Sequence, residues 1–329
     1  MSIASPVARP GAAAPEISSG RPARARRRWI VGIVAAFAIV VAAIGAAHRG
    51  VIVATASHRI GGPAQTWEPI AMPPEAQPWL RVALVGDVGD GDDRELETAA
   101  AIAAQSRVDR YDILMLLGDN VYPSGDPARI QATVFGPFAP LLDAGAELFA
   151  VLGNHDVRSG RGDAQLEALG MPGRWYAVER GDMLGIALDS TRPTDPDQLA
   201  WLEETLAGSD ATWKLVGFHH PPYSSGVHGS DEVVRAAFVP LFERYGVQLV
   251  FSGHEHDYQR SDPINGVTYI VTGAGSRTRR TGREDFTAVS YSTRHYVDIN
   301  VYDDHILLRA IDHDGKQFDE AVIPTRMPG

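Results

Sequence analysis

Five short apolar runs, each followed at once by a glycine or a polar cluster, constrain the fold of this chain more than any other feature. Such runs are typical of β-strands that are covered on both faces. Open α/β sheets bind their ligands just beyond the carboxyl ends of these strands. We therefore predict an α/β fold in which the polar clusters meet at one edge. The runs lie at residues 82–85, 113–117, 148–152, 215–216 and 249–251.

The clusters that follow these runs contain side chains that bind metal ions. Carboxylate and phenolate oxygens stabilise a hard trivalent ion, whereas imidazole nitrogens and an amide oxygen suit a divalent one. One carboxylate between two ions can bridge them at about 3.5–4 Å. We interpret the clusters as one two-metal hydrolytic site. They are GDVG at 86–89, GDNVY at 118–122, GNHD at 153–156, VGFH at 216–219 and GHEH at 253–256.

Composition limits the ligands and partners of the chain. The 329 residues include no cysteine, which excludes structural disulfides and thiolate metal sites. Residues 50–329 carry 23 basic and 40 acidic side chains, a net charge of −17. Binding to nucleic acid depends on phosphate neutralisation by Lys and Arg, so we expect no general nucleic-acid binding.

The first 49 residues differ in kind from the rest. Residues 1–28 are a basic segment with five arginines from position 21 onward, and residues 29–47 carry no charge. These 19 residues are about long enough for a helix to cross a hydrocarbon core of roughly 30 Å. The arginines predict a cytoplasmic N-terminus and an exported remainder. We favour a transmembrane signal anchor in the cell membrane over a cleaved signal peptide with secretion, a twin-arginine signal or a buried core helix.

After a Pro-rich linker at residues 48–77, we predict one catalytic α/β domain over residues 78–329, with a sheet flanked by helices. Caps and periodicity predict helices at 92–105, 127–142, 198–206 and 232–245. Alternation and turn residues predict a strand pair within 174–189 and strands at 267–272, 296–301, 305–312 and 321–323.

The order Asp…Gly-Asp-x-x-Tyr…Gly-Asn-His…Val-x-x-His…Gly-His-x-His resembles the motif set of the purple acid phosphatases, within the calcineurin-like metallophosphoesterases. The resemblance spans Val82 to His256. It is closer to the small tartrate-resistant type than to large plant forms, which carry an additional N-terminal β-sandwich. It implies a four-layer αββα sandwich, classed as α/β or, in some schemes, as α+β.

The resemblance also implies the metal ligands. Asp87, Tyr122 and His256 would bind Fe(III), coloured by charge transfer from the phenolate. A second metal, either Fe(II), Zn or Mn, would be bound by three further residues, with Asp119 bridging the two ions. Those three residues are Asn154, His219 and His254.

The implied reaction is in-line attack of a metal-bound hydroxide on a small phosphate monoester. In this interpretation His155 donates a proton to the leaving alkoxide. We expect Asp156 to orient His155 rather than to bind metal. His228 either contacts the phosphate or lies in a surface loop.

Three further features lie close to these motifs. His220 follows a predicted ligand and would face the substrate, support a ligand or pack in the core. Arg277, Arg279, Arg280 and Arg283 form a basic loop, which we expect to be solvated rather than to attract an anionic substrate. We expect Asp90, an additional acid after Gly89, to point to solvent.

Two alternative functions remain. One is a phosphodiesterase or nucleotidase with a Mn or Zn pair on the same fold, against which Tyr122 argues. The other is a non-catalytic surface binding module that keeps its metals only for stability.

Overall fold

Strands with apolar side chains on both faces give the protein four layers, in the order helix, sheet, sheet, helix. The computed structural model describes residues 77–325. The strands are β1 (Leu80–Val85), β2 (Ile113–Leu116), β3 (Glu147–Ala150), β4 (Tyr176–Arg180), β5 (Met183–Ala187), β6 (Trp213–Gly217), β7 (Leu249–Ser252), β8 (Tyr258–Ser261), β9 (Thr268–Thr272), β10 (Thr287–Tyr291), β11 (His295–Val301), β12 (His305–Asp312) and β13 (Gln317–Pro324). The α-helices are α1 (Asp93–Val108), α2 (Gly136–Leu142), α3 (Asn154–Val157), α4 (Gly162–Leu169), α5 (Pro196–Ala207) and α6 (Glu232–Tyr245).

The first sheet has six strands in the order β13-β12-β11-β1-β2-β3. Strands β1, β2 and β3 are parallel neighbours, and β11 runs antiparallel to β1. Successive side chains of a strand point to opposite faces. In β1, Val82 and Leu84 therefore pack in the cluster between the sheets, whereas Ala83 and Val85 pack in the cluster with α1 and α2.

The second sheet has seven strands in the order β10-β8-β9-β7-β6-β5-β4. Its central strands β5, β6, β7 and β9 are parallel. Helices α5 and α6 cover its outer face, where Leu202 and Phe238 pack against Val216 and Val250. Its inner face contributes Leu215 and other apolar side chains to the cluster between the sheets.

The structure confirms the five predicted runs as strands and the four-layer sandwich that the resemblance implies. The single sheet flanked by helices that the sequence pattern predicted is instead two sheets. Helix α6 has the predicted bounds. The predicted helix at 127–142 is divided into a 3₁₀ turn (Pro127–Arg129), a π-helical turn (Gln131–Phe135) and α2. The helix is not continuous because Pro137 and Pro140 have no main-chain N–H to donate to the regular series of helical hydrogen bonds. We did not predict β8, β10, α3 or α4.

The predicted segments at 1–28, 29–47 and most of 48–77 lie outside the described residues, so these assignments stay predictions. Within residues 77–325 no helix has the length and apolar character that a membrane span requires.

Helix α1 buries an acidic side chain in its first turn. Asp92 caps the helix by accepting the main-chain N–H groups of Arg94 and Glu95. The Glu95 carboxyl group is buried and accepts the main-chain N–H of Gly91 at 2.6 Å. Burial raises the pKa of Glu95 to about 9.

We predict that Glu95→Gln flattens the pH dependence of stability. The pKa of Glu95 is 4.5 in the unfolded chain and about 9 in the fold, so its contribution to stability is lost as pH rises through that interval. The slope for one proton is about 1.4 kcal/mol per pH unit. Denaturant unfolding of the metal-free protein between about pH 5 and 8 should therefore show that the free energy of unfolding falls more steeply with rising pH in the wild type than in the variant, by this amount. Parallel curves for the two proteins would contradict the prediction.

Candidate metal centre

The carboxyl ends of five parallel strands, three from the first sheet and two from the second, bring the predicted clusters together. Strands β1, β2 and β3 lead to Asp87, Asp119 and Asn154, while β6 and β7 lead to His219 and His254. Asp87, Asp119 and His254 have φ values of 57°, 51° and 68°. This left-handed backbone is uncommon for residues other than glycine and concentrates at functional sites.

Asp87, Tyr122 and His256 form what we term the first donor group. The Tyr122 hydroxyl donates to Asp87 Oδ1 at 3.1 Å and lies 3.2 Å from His256 Nε2. His256 Nε2 is itself 3.2 Å from Asp87 Oδ1. The other oxygen of Asp87 accepts the main-chain N–H of His254 at 2.7 Å, which fixes the carboxylate. Three donor atoms of different chemical kinds thus lie around one position.

Asn154, His219 and His254 form the second donor group. Asn154 Oδ1 lies 3.1 Å from His219 Nε2 and 3.0 Å from His254 Nδ1. The Nδ1–H of His219 donates to the carbonyl of Leu117 at 2.8 Å. This hydrogen bond leaves the Nε2 lone pair of His219 directed at the group, as a metal ligand requires.

Asp119 lies between the two groups. Its Oδ1 is 3.6 Å from His219 Nε2 and accepts the main-chain N–H of His155 at 2.8 Å. One ligand atom from each of Asp87, Asp119 and His219 lies within 4.8 Å of the other two. This is the position that a bridging carboxylate needs.

Burial opposes charge on these side chains in the absence of a cation. Burial, followed by the neighbouring charge of Asp119, raises the pKa of Asp87 well above its usual range, and burial also raises that of Asp119. Burial lowers the pKa of His219 and His254, and takes that of His256 to about 4. A bound cation would favour the ionised carboxylates and the neutral imidazoles. The residues present therefore fit two metal ions, one at each donor group.

Two glycines leave room for the carboxylates. A Cβ atom at Gly253 would lie 2.6 Å from Asp87 Oδ2. A Cβ atom at Gly153 would collide with the main chain and carboxylate of Asp119. Residues with side chains at these positions would displace the donors.

His155 lies at the side of the first donor group. Its Nδ1–H donates to the carbonyl of Pro123 at 2.8 Å, and its ring meets the Tyr122 ring edge-on at 4.7 Å. Its Nε2 is 4.0 Å from Asp119 Oδ2 and 3.4 Å from the Arg158 guanidinium. The ring is thus held at one nitrogen and faces the site with the other.

Asp156 does not orient the His155 ring, contrary to our expectation. Its carboxylate is fully buried and binds main-chain N–H groups and the Asn120 side-chain amide, while the Pro123 carbonyl is the partner of the ring. Burial, followed by the charge of Asp119, raises the pKa of Asp156 to about 7. Its role is to join the loops that follow β2 and β3. The main-chain groups belong to Gly153 at 2.8 Å and to Asn120 and Val121 at 3.1 Å.

His220 and His228 lie beside the second donor group. Their ring centroids are 4.7 and 4.6 Å from that of His254, and the three rings line a cavity of about 290 Å³. His220 Nδ1 is 3.0 Å from the hydroxyl of Ser190. We did not predict a role for Glu255, whose carboxylate binds His228. The available signal was an acidic residue between two predicted ligands.

The expectation that Asp90 points to solvent was wrong, and two arginines of the basic loop contact site residues although three of its four arginines are exposed. The side chain of Asp90 is only 7% exposed and forms a bidentate ion pair with Arg277. The Arg277 guanidinium lies 4.9 Å above the centre of the Tyr122 ring. Arg279 donates to the carbonyl of His254 at 3.1 Å. Arg277 and Arg279 therefore contact site residues, although Arg277 is exposed like Arg280 and Arg283.

The domain matches known proteins in sequence. The family described as Calcineurin-like phosphoesterase matches residues 80–258. Tartrate-resistant acid phosphatase type 5 of Homo sapiens is 28% identical over 242 residues, which cover 61% of this chain and 74% of that protein.

Solved structures share the fold. GAP50, the anchor in the inner membrane complex of Plasmodium, superposes with a TM-score of 0.67 at 18% identity, covering 75% of this chain and 89% of its own. Purple acid phosphatase PPD1 from yellow lupin (Lupinus luteus) seeds gives a TM-score of 0.67 at 19% identity, covering 74% and 53%. At these identities the likeness shows the fold alone.

We predict that Gly253→Ala lowers the metal content of the protein. The added Cβ atom would lie 2.6 Å from Asp87 Oδ2 and 2.8 Å from the Leu117 carbonyl, so the first donor group must move. Elemental analysis of protein that has been loaded with metal and then dialysed against metal-free buffer should show about two ions per chain in the wild type and fewer in the variant. Gly173→Ala is the matched control, because its Cβ atom would meet no atom closer than 3.8 Å. Full metal content in Gly253→Ala would contradict the prediction.

Proposed function

The chain belongs to the calcineurin-like phosphoesterase family and is distantly related to the purple acid phosphatases, and from this premise we propose that it hydrolyses phosphate monoesters at a two-metal site. The observation that carries the proposal is the place of Tyr122, 3.1 Å from Asp87 and 3.2 Å from His256. A phenolate with a carboxylate and an imidazole suits Fe(III). A Mn or Zn pair does not require a phenolate ligand, so Tyr122 favours this type over a phosphodiesterase or nucleotidase.

The proposed metals follow from the two donor groups. The first donor group would hold Fe(III), and the second would hold Fe(II), Zn or Mn, with Asp119 shared between them. When bound, the two ions supply an activated water and positive charge for the phosphoryl oxygens. Burial raises the pKa of Tyr122 above its usual range, and a strongly charged ion in the first group would reverse that effect.

His155 is the proposed proton donor to the leaving oxygen. An alkoxide leaves readily only when it is protonated in the transition state. The Pro123 carbonyl holds the Nδ1–H of the ring at 2.8 Å, so Nε2, which has only a long contact of 3.4 Å with Arg158, is the nitrogen that faces the substrate. A metal site that served only stability would not need a partly exposed imidazole in this place.

The side chains around the site also suit an anionic substrate. The chain carries a net charge of −11, which by itself disfavours the approach of a phosphate ester. Arg277 lies over Tyr122, and Arg279 contacts His254, so two cations stand next to the donor groups. We assign the cavity beside His228 to the leaving group and His228 itself to contact with the substrate.

A non-catalytic binding module is the alternative from another class. The fold does not decide between the two, because one of the two structures that superpose at a TM-score of 0.67 is described as an anchor and the other as a phosphatase. The position of His155 next to Asp119 favours catalysis. We further propose that residues 29–47 anchor the chain in the cell membrane, with the catalytic domain outside the cytoplasm.

The proposed function is tested with two chromogenic esters. The metal-loaded full-length protein should hydrolyse 4-nitrophenyl phosphate with a higher kcat/KM than bis(4-nitrophenyl) phosphate. A preference for the diester would instead establish the phosphodiesterase alternative. Failure to hydrolyse either ester with two metals bound would favour the binding module.

We predict that His155→Ala lowers kcat most for esters with poor leaving groups. Loss of a general acid costs about 10²- to 10⁴-fold. The loss should be near the upper end for glycerol phosphate, whose alkoxide needs a proton, and smaller for 4-nitrophenyl phosphate. His305→Ala serves as control, since that ring stacks on Tyr302 in the β12 hairpin. Equal losses for the two esters would show that His155 is not the proton donor.

A further inference from the structure

Glu255 lies between two residues of the donor groups, yet its carboxylate binds a different loop. Its Oε2 accepts the main-chain N–H of Val227 at 3.1 Å. Its Oε1 accepts the main-chain N–H of His228 and, at 3.1 Å, the Nδ1–H of the His228 ring. All three hydrogen bonds come from two consecutive residues of the loop between β6 and α6.

The environment of Glu255 is built around these hydrogen bonds. The residue is 0% exposed, and a buried carboxylate is unfavourable unless it is well hydrogen-bonded. A Cβ atom at Gly226 would lie 2.6 Å from both Cδ and Oε2 of Glu255, so glycine lets the loop approach the carboxylate. This close approach brings the His228 ring next to the His254 ring, while the side chain remains partly in solvent.

The contacts of the His228 ring fix both its place and its tautomer. The ring lies 4.6 Å from the His254 ring, tilted by 37°. The Nδ1–H donated to Glu255 leaves Nε2 as the unbound nitrogen of a side chain that is 43% exposed. Arg279 lies 3.4 Å from the same Nδ1 but donates its shorter hydrogen bond, 3.1 Å, to the His254 carbonyl. The ring also lines the cavity of about 290 Å³.

We propose that Glu255 is a positioning residue for the phosphatase reaction, which holds His228 so that its Nε2 contacts the phosphate ester in this cavity. The inference rests on the proposed function, because it assigns His228 to the substrate. A carboxylate that orients a histidine fixes its tautomer, and loss of such a partner typically costs 10- to 100-fold in activity. A fixed ring also loses less entropy when the substrate binds.

A double-mutant cycle tests whether Glu255 acts through His228. Steady-state kinetics with 4-nitrophenyl phosphate would compare the wild type, Glu255→Gln, His228→Ala and the double variant. We expect Glu255→Gln alone to lower kcat/KM at least 10-fold, and to have little further effect once His228 is Ala. Asp257→Asn is the matched control, a buried carboxylate two residues along that binds Gln259. The decrease in kcat/KM that Asp257→Asn causes should add to the decrease that His228→Ala causes.

Two outcomes separate this inference from the proposed function. If the wild-type protein is active and the losses of Glu255→Gln and His228→Ala add, the inference alone is overturned. If the wild type hydrolyses no phosphate ester, the proposed function fails and the role of His228 fails with it.

A spectroscopic measurement tests the same contact without activity. In ¹⁵N NMR of the metal-free protein, with the His228 signals identified by their loss in His228→Ala, Nδ1 should carry the proton. In Glu255→Gln the Nε2–H form should gain population. A wild-type ring that is protonated at Nε2 alone would overturn the inference.

If Glu255→Gln does not fold, Gly226→Ala provides a second route. Its Cβ atom would displace the loop from a carboxylate that is still present. This variant should show the same non-additivity with His228→Ala, and additive losses would overturn the inference.

Discussion

Two carboxylates and a phenol share one buried space where the two sheets meet, and the cost of this arrangement without a cation governs the rest of the site. Asp87 and Asp119 are 0% and 2% exposed. Burial raises their pKa, so the ionised carboxylates are unfavourable until a cation binds, and it lowers the pKa of the neighbouring imidazoles, which keeps them in the neutral form that binds metal. The fold therefore holds together groups whose favourable interactions require ions from solution.

The two sheets hold these groups in place by bringing the carboxyl ends of separate strands together. Each sheet supplies ligands from parallel strands with apolar faces, so the frame is rigid while the loops carry the chemistry. The left-handed backbone at Asp87, Asp119 and His254 is unfavourable locally and is stabilised by this frame. Buried carboxylates outside the donor groups, Asp156 and Glu255, then fix the loops by binding main-chain N–H groups.

Features that are local in sequence could be predicted, and features that join distant segments could not. Every donor lies within a few residues of a strand end, so strand patterning and residue type located the five clusters, and the resemblance to the purple acid phosphatases assigned the seven donors within them. The pairing of Asp90 with Arg277 spans 187 residues and has no periodic signal. Asp156 was misassigned because most of its partners are main-chain groups, which residue identity does not reveal. The short strand β8 was not predicted because its polar residues Gln259 and Arg260 interrupt the apolar pattern of a strand.

The most direct test of this account is the visible absorption spectrum of the full-length protein, measured with metal analysis beside the Tyr122→Phe variant. Tyr122 lies 3.1 Å from Asp87 and 3.2 Å from His256, where its phenolate would bind a ferric ion. The account predicts about two metals per chain and a purple or pink band that Tyr122→Phe abolishes. A colourless, active protein that contains Mn or Zn would contradict it.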